Sequence, residues 1–244
     1  MYTKEQLEPI TSFVCFDIET TGLDPSSDKI IEIGGLKVKD KKIVGVFKEF
    51  INPGILLPEK IIQITNITDE MLVSARGQEE VIKEFIDFVG DDIVIGHNIK
   101  FDFSFIKTAA SEYGLSFDKM GIDTLDLCKR LHTELSSKSL ENMCKYYGIK
   151  NDNAHRAYDD AKATALLYVK LCNEFFESFK EVFSPKELVY KVKKSRLITS
   201  KQKNYLIDLL KYHNIDSIQS IDTLTQSEAS KIIDGIILNQ GRII

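Results

Sequence analysis

Four acids in this chain stand where a strand or a helix start would aim them at a common point: Asp17, Glu19, Asp102 and Asp160. In Asp17-Ile18-Glu19 the two-residue period of a strand puts both carboxylates on one face and Ile18 on the other. Two like charges held so close repel, which is costly unless a cation lies between them. Hard divalent ions such as Mg²⁺ take carboxylate oxygen. Taken alone, the pair also fits a strand end whose acids are solvated. Asp102 follows Ile95-Gly96-His97-Asn98-Ile99-Lys100-Phe101, just past an expected strand, where it could equally be the N-cap of a helix. His97 reads as a structural histidine holding that loop, with a catalytic role as the alternative.

Asp160 belongs to His155-Arg156-Ala157-Tyr158-Asp159-Asp160-Ala161. Five helical residues turn the chain through about 500°, so a fully helical His155 would lie about 140° away from Asp160. A histidine placed just ahead of the helix escapes that constraint and can swing over a site that Asp160 faces from the first turns. Titrating near neutrality, it has the chemistry of a general base that activates water. Asp159 competes with Asp160 and reads as a first-turn acid that faces solvent and favours the helix dipole.

The elements that must position these groups alternate between strand and helix. Ser12 to Phe16 is a short apolar, β-prone run that delivers the first two acids to a turn. Lys29 to Val38 and Lys42 to Ile51 read as two more strands around the polar Lys39-Asp40-Lys41 turn, so a meander is expected. Glu79 to Val89 has the spacing of one helix face, and Ile93-Val94-Ile95 that of a short buried strand. Helices are expected over Asp102 to Tyr113, Leu125 to Leu131, Leu140 to Tyr146 and about Ala157 to Phe179, with a strand at Gly121-Ile122-Asp123. The class is α/β. Phe103 and Phe105 read as core.

The chain has 244 residues, 43% hydrophobic and 28% charged, which excludes disorder, collagen-like repeats and a disulfide scaffold. Cys15, Cys128, Cys144 and Cys172 are far apart with no zinc-finger spacing, and read as free thiols. No apolar run approaches the roughly 20 residues of a membrane span, and Met1 to Gln6 carries no apolar h-region after a basic start. A cytoplasmic protein with no membrane partner is expected. The net charge of −5 would argue against a nucleic-acid partner, but it is an average. From Ser184 onward ten basic residues face six acidic ones, a net of +4, which leaves −9 on the first 183 residues. Four of those acids are the candidate metal ligands.

The motifs, in order, are Phe16-Asp17-Ile18-Glu19-Thr20-Thr21-Gly22-Leu23, then His97-Asn98-x-x-Phe101-Asp102, then His155-x-Ala157-x-x-Asp160-Ala161. Together they resemble the three exonuclease motifs of the DEDD superfamily, and the His-x4-Asp form of the third resembles the DEDDh branch. The likeness runs over about residues 10 to 180 and is greatest to epsilon-type proofreading exonucleases of bacterial DNA polymerase III. Ile64-Thr65-Asn66-Ile67-Thr68 resembles the family's Thr-Gly-Ile-Thr segment, with Asn66 for Gly, a residue that also tolerates left-handed backbone angles.

The resemblance implies a ribonuclease H-like fold, a mixed central sheet flanked by helices. It implies that Asp17, Glu19, Asp102 and Asp160 bind two divalent ions, Mg²⁺ or Mn²⁺, and that His155 deprotonates the attacking water. Thr20, Thr21 and Leu23 would hold the terminal nucleotide, and Asn98 and Phe101 would line the same groove. The expected reaction is hydrolysis from the 3′ end of a single strand, DNA ahead of RNA, releasing nucleoside 5′-monophosphates. A polymerase or other replication or repair protein would be a partner in trans. A binding module that kept the fold and lost catalysis is the rival from another class, although no acidic position is missing.

Ser184-Pro185 breaks the helical pattern, so an exonuclease domain is expected over residues 1–183 and a basic linker with a small helical module over 184–244. Capping-box signatures at Thr199 to Gln202 and Thr225 to Glu228 start two helices there. Lys191, Lys193, Lys194 and Arg196 are candidate phosphate contacts.

Overall fold

The computed structural model describes residues 8–151, 153–193, 197–215 and 221–243. Met1 to Gln6, Lys194 and Arg196, named above, lie outside the described residues. By packing, the chain divides into two compact units, Met1–Leu23 with Asp28–Lys191, and Asp24–Ser27 with Val192–Ile244.

In the first unit the expected meander forms: β1 (Phe13–Thr20), β2 (Ile30–Lys39) and β3 (Lys42–Phe50) pair antiparallel. Three helices follow, α1 (Glu59–Thr65), α2 (Asp69–Leu72) and α3 (Gln78–Val89). Asn66 ends α1 at φ 56°, a left-handed conformation that Asn, like Gly, tolerates. Strand β4 (Val94–Gly96) then pairs parallel with β1, α4 (Ile99–Glu112) crosses over, and β5 (Met120–Asp123) pairs parallel with β4. Helices α5 (Thr124–Leu131), α6 (Leu140–Tyr147) and α7 (Ala157–Phe175) complete the layers.

The expected boundary at Ser184 is corrected. Lys186–Glu187 forms β6 on the free edge of β5, and Leu188 is buried against Gly121, so the first unit extends to Lys191. A two-residue strand carries no periodicity, and the break at Pro185 hid it. Among the described residues the sheet order is β3-β2-β1-β4-β5-β6.

The alternation of β1 decides what each face does. Val14, Phe16 and Ile18 point into a core with Phe85, Phe103, Phe105 and Phe117, under α3 and α4. Phe13 and Cys15 point the other way, into a core with Leu127, Met143, Leu167 and Tyr168, under α5, α6 and α7. Asp17 and Glu19 continue the second row, beside the first turn of α7.

In the second unit, α8 (Ser200–Tyr212) and α9 (Gln226–Gln240) both carry the expected capping boxes, Thr199 with Gln202 and Thr225 with Glu228. Leu206, Leu209, Leu210 and Ile233 form its core. All four cysteines are free thiols. Among the described residues no helix is long and apolar enough to cross a membrane.

Candidate active site

The acids meet because strands of unequal length end beside one another. β4 stops at Gly96 while β1 runs on to Thr20, so the β1 edge beyond Cys15 has no strand neighbour on that side. The first turn of α4 fills the gap: the Ile18 amide donates to Asp102 Oδ1 at 3.1 Å. Asp102 is only 3% exposed and does not cap its own helix, which begins from Asn98 in a left-handed conformation. The N-cap alternative raised by the sequence therefore falls away.

Asp160 reaches the same place from the first turns of α7. Its Oδ1 accepts from Asn151 Nδ2 at 2.6 Å, and its Oδ2 from the His155 backbone amide at 3.0 Å. His155 lies ahead of the helix at φ 64°, a left-handed angle uncommon for a side-chain-bearing residue, and is exposed. The helical geometry that would have separated it from Asp160 does not apply. Ligand atoms of Glu19, His155 and Asp160 all lie within 4.8 Å of one another. Asp159 turns away and accepts from Asn153 Nδ2.

Crowding of buried carboxylates is visible in their proton affinity. Glu19 is pushed up to about 8 by burial first and then by Asp160 and Glu32, with Arg156 opposing. Asp17 is raised well above the usual carboxylate range by burial, then by Asp102, Glu19 and Asp160. Asp102 and Asp160 are also raised, burial leading in both. Four acids that resist ionisation side by side form a donor set that a cation satisfies, and their oxygens suit a hard divalent ion.

The neighbouring positions differ in character. Thr20 and Thr21 are nearly buried, and their hydroxyls hold the turn: Thr20 Oγ1 donates to the Gly22 carbonyl at 2.6 Å, and Thr21 Oγ1 accepts from the Lys29 amide at 2.9 Å. Leu23 is 83% exposed. Asn98 is exposed, while Phe101 is half-buried and packs on Phe105. Lys191 and Lys193 are exposed and lie outside any element. His97 faces the Thr124 hydroxyl through Nδ1 at 2.9 Å and the Lys138 carbonyl through Nε2 at 2.8 Å. Both ring nitrogens are thus used to hold the loop, and burial lowers its proton affinity.

Three contributors escaped the sequence reading. Asn151 bonds Asp160 but lies in a polar loop without a pattern. Gly34, opposite Asp17 on β2, lets the first turn of α7 touch the sheet. Glu32, opposite Glu19, is 5% exposed. An acid inside the apolar run Ile30-Ile31-Glu32-Ile33 was a signal for it.

Among the described residues, a mixed six-stranded sheet flanked by helices, with two acids on central strand β1 and one each from α4 and α7, defines a ribonuclease H-like nuclease scaffold. Residues 14–168 match the Exonuclease (RNase_T) family, and the chain belongs to it. Its His155-x4-Asp160 motif has the DEDDh form. The chain is 41% identical over 165 residues to the DNA polymerase III PolC-type of Caldanaerobacter subterraneus subsp. tengcongensis. It is 42% identical over 167 residues to that of Staphylococcus aureus. Each match takes 68% of this chain but 12% of the relative, so the chain spans a small part of the curated relatives it resembles.

Among solved structures, Exonuclease X in complex with 5′ overhanging duplex DNA matches with a TM-score of 0.56 at 24% identity, covering 70% of this chain and 99% of that one. E. coli Exonuclease I in complex with a dA16 oligonucleotide matches at 0.61 and 21%, covering 71% and 42%. The nuclease domain of 3′hExo, a DEDDh family member bound to rAMP, matches at 0.62 and 20%, covering 73% and 98%. These likenesses show the fold. The family uses two divalent metal ions, and a zinc-bound form of the E. coli Exonuclease I complex with single-stranded DNA is among the neighbours.

Proposed function

We propose that the chain is a 3′→5′ exonuclease domain that hydrolyses the terminal phosphodiester of single-stranded DNA and releases nucleoside 5′-monophosphates. The observation that carries this reading is that Glu19, His155 and Asp160 bring ligand atoms within 4.8 Å of one another, while Asp17 is crowded by Asp102, Glu19 and Asp160. The four carboxylates would hold the ions, Mg²⁺ or Mn²⁺, which when bound supply positive charge to the attacking and leaving oxygens.

The chain's own groups do the rest. His155, exposed beside Glu19 and Asp160, accepts the proton of the attacking water. The Asp160 carboxylate, bonded to the His155 amide, keeps that residue in its left-handed turn. Thr20 and Thr21, by holding the loop after β1 rigid, present its backbone and the exposed Leu23 side chain to the terminal nucleotide. Asn98 and Phe101 line the approach beside Asp102. Lys191, Lys193, Lys194 and Arg196 are the proposed phosphate contacts for the longer strand. Domain boundaries follow the two packed units, with the second serving strand or partner binding. The PolC-type relatives support a proofreading role beside a replicative polymerase, in the cytoplasm.

The test is product analysis on matched, 5′-labelled DNA and RNA single strands with Mn²⁺ and then with EDTA. Stepwise shortening of DNA from the 3′ end, stopped by EDTA and absent in Asp17→Ala, is expected. DNA and RNA strands both left intact would leave only the binding-module reading. Preferential shortening of RNA would reassign the substrate.

A further inference from the structure

Glu32 is a fifth buried acid in the site, and its bonding sets it apart from the other four. Oε1 accepts from the Arg156 guanidinium at 3.0 Å, and Oε2 accepts from Arg156 Nε at 3.3 Å and from the Ala157 amide at 3.1 Å. Three donors converge on one carboxylate and take three of its roughly four lone-pair positions. Arg156 is held on its other face by the Phe50 ring, 5.2 Å from the guanidinium carbon.

The consequence lies in where α7 starts. Arg156 is the N-cap residue of that helix and makes no side-chain cap of its own. Glu32, from strand β2, supplies the acceptor oxygen that an Asp or Ser N-cap would ordinarily provide, against the free amide of Ala157 and the positive end of the helix dipole. The Arg156 carbonyl in turn accepts the first helical bond, at 3.0 Å, and its donor is the amide of Asp160 itself. On the other side Arg156 is covalently next to His155. Whatever fixes Arg156 and Ala157 therefore fixes both the His155 turn and the Asp160 carboxylate.

We propose that Glu32 is a positioning residue for the hydrolytic reaction: anchored in β2, it clamps Arg156 and the Ala157 amide and so sets the left-handed His155 turn against Asp160. The proposal rests on the exonuclease reading for its effect on rate, but its structural half can be read without turnover or metal. Glu32 acts through its neighbours and touches neither the ions nor the substrate.

The experiment compares wild type with Glu32→Gln, which keeps the shape and removes the charge that Arg156 requires. Steady-state hydrolysis of a single-stranded oligonucleotide at saturating Mn²⁺ is paired with Mn²⁺ counting by electron paramagnetic resonance. Both proteins are also labelled with ¹⁵N-histidine and recorded without metal. The chain has four histidines, and the His155 amide signal is assigned by its loss in His155→Gln. Expected are a kcat lower by about ten-fold or more, an unchanged KM, unchanged Mn²⁺ stoichiometry, and a displaced His155 signal beside unmoved His97, His132 and His213 signals.

A folded variant with kcat near wild type, or with a Mn²⁺ ion lost and the His155 signal unmoved, would overturn the proposal; the latter result would make Glu32 a ligand. If Glu32→Gln does not fold, Arg156→Lys, which keeps the charge and loses the planar fork, is read by the same criteria. If wild type hydrolyses neither DNA nor RNA, the exonuclease reading fails, and the His155 signal alone decides whether Glu32 positions that turn.

Discussion

Replacing Gly34 by alanine adds one methyl group at the tightest contact between sheet and helix. A Cβ at that position would lie 1.9 Å from the Tyr158 nitrogen, 2.2 Å from the Ala157 carbonyl carbon and 2.4 Å from the Tyr158 Cα. Ordinary contact begins at 3.4 Å, so the first turn of α7 and the strand must separate by about 1.5 Å. All three neighbours are backbone, so no rotamer change relieves the clash. β2 is held on both sides, with Gly34 opposite Asp17 on β1 and Lys48 on β3, so the helix should yield. Asp160 and His155 would then recede from Glu19; were the strand to yield instead, Asp17 would move. Either way the carboxylates part.

A displacement of about 1 Å at reacting groups can cost on the order of 10²-fold in rate, equivalent to about 2.7 kcal/mol of barrier. Overpacking costs typically about 1–3 kcal/mol of stability, so the variant should fold with a lowered melting midpoint. The assay is the initial rate of mononucleotide release from a single-stranded DNA oligonucleotide at saturating Mn²⁺, well below each melting midpoint. Gly77→Ala, where a Cβ meets nothing within 4 Å, is the control and should match wild type. A folded Gly34→Ala protein within about three-fold of the wild-type rate would refute the reasoning that this contact sets the site.

Two further outcomes are expected. In EDTA, the native Glu19 carboxyl, raised from an ordinary value of 4.5 to about 8, keeps its proton where the unfolded chain has lost it. The unfolded state then binds fewer protons, so stability falls as pH rises through that window, and Asp17, Asp102 and Asp160 act in the same direction. Saturating Mn²⁺ should flatten that fall in melting midpoint, because the bound ion favours the deprotonated acids; a flat curve in EDTA would contradict the crowding. Removal of residues 192–244 should leave dinucleotide hydrolysis intact while weakening polynucleotide affinity and lowering its salt slope. Equal slopes would count against the tail contacts, whereas cutting after Pro185 should also lower the melting midpoint, because Leu188 is buried in the core.

The sequence by itself determined what is periodic or chemically explicit. The alternation of β1 put Asp17 and Glu19 on one face, and the capping boxes announced α8 and α9. The ordered motifs named four carboxylates and a histidine. These are local properties, written in residues a few positions apart. Tertiary structure decided what depends on partners far along the chain. Asp102 could have capped its helix, yet it bonds the Ile18 amide, because β4 is too short to cover the end of β1. β6 is two residues long and exists only because β5 offers a free edge. Glu32 looked like one more acid in a strand, and its role comes from a contact 125 positions away with the Ala157 amide. Chemistry-bearing residue types are legible in one dimension because spacing encodes which face they share. The groups that hold them in place are not, because a single hydrogen bond across the fold leaves no period in the sequence.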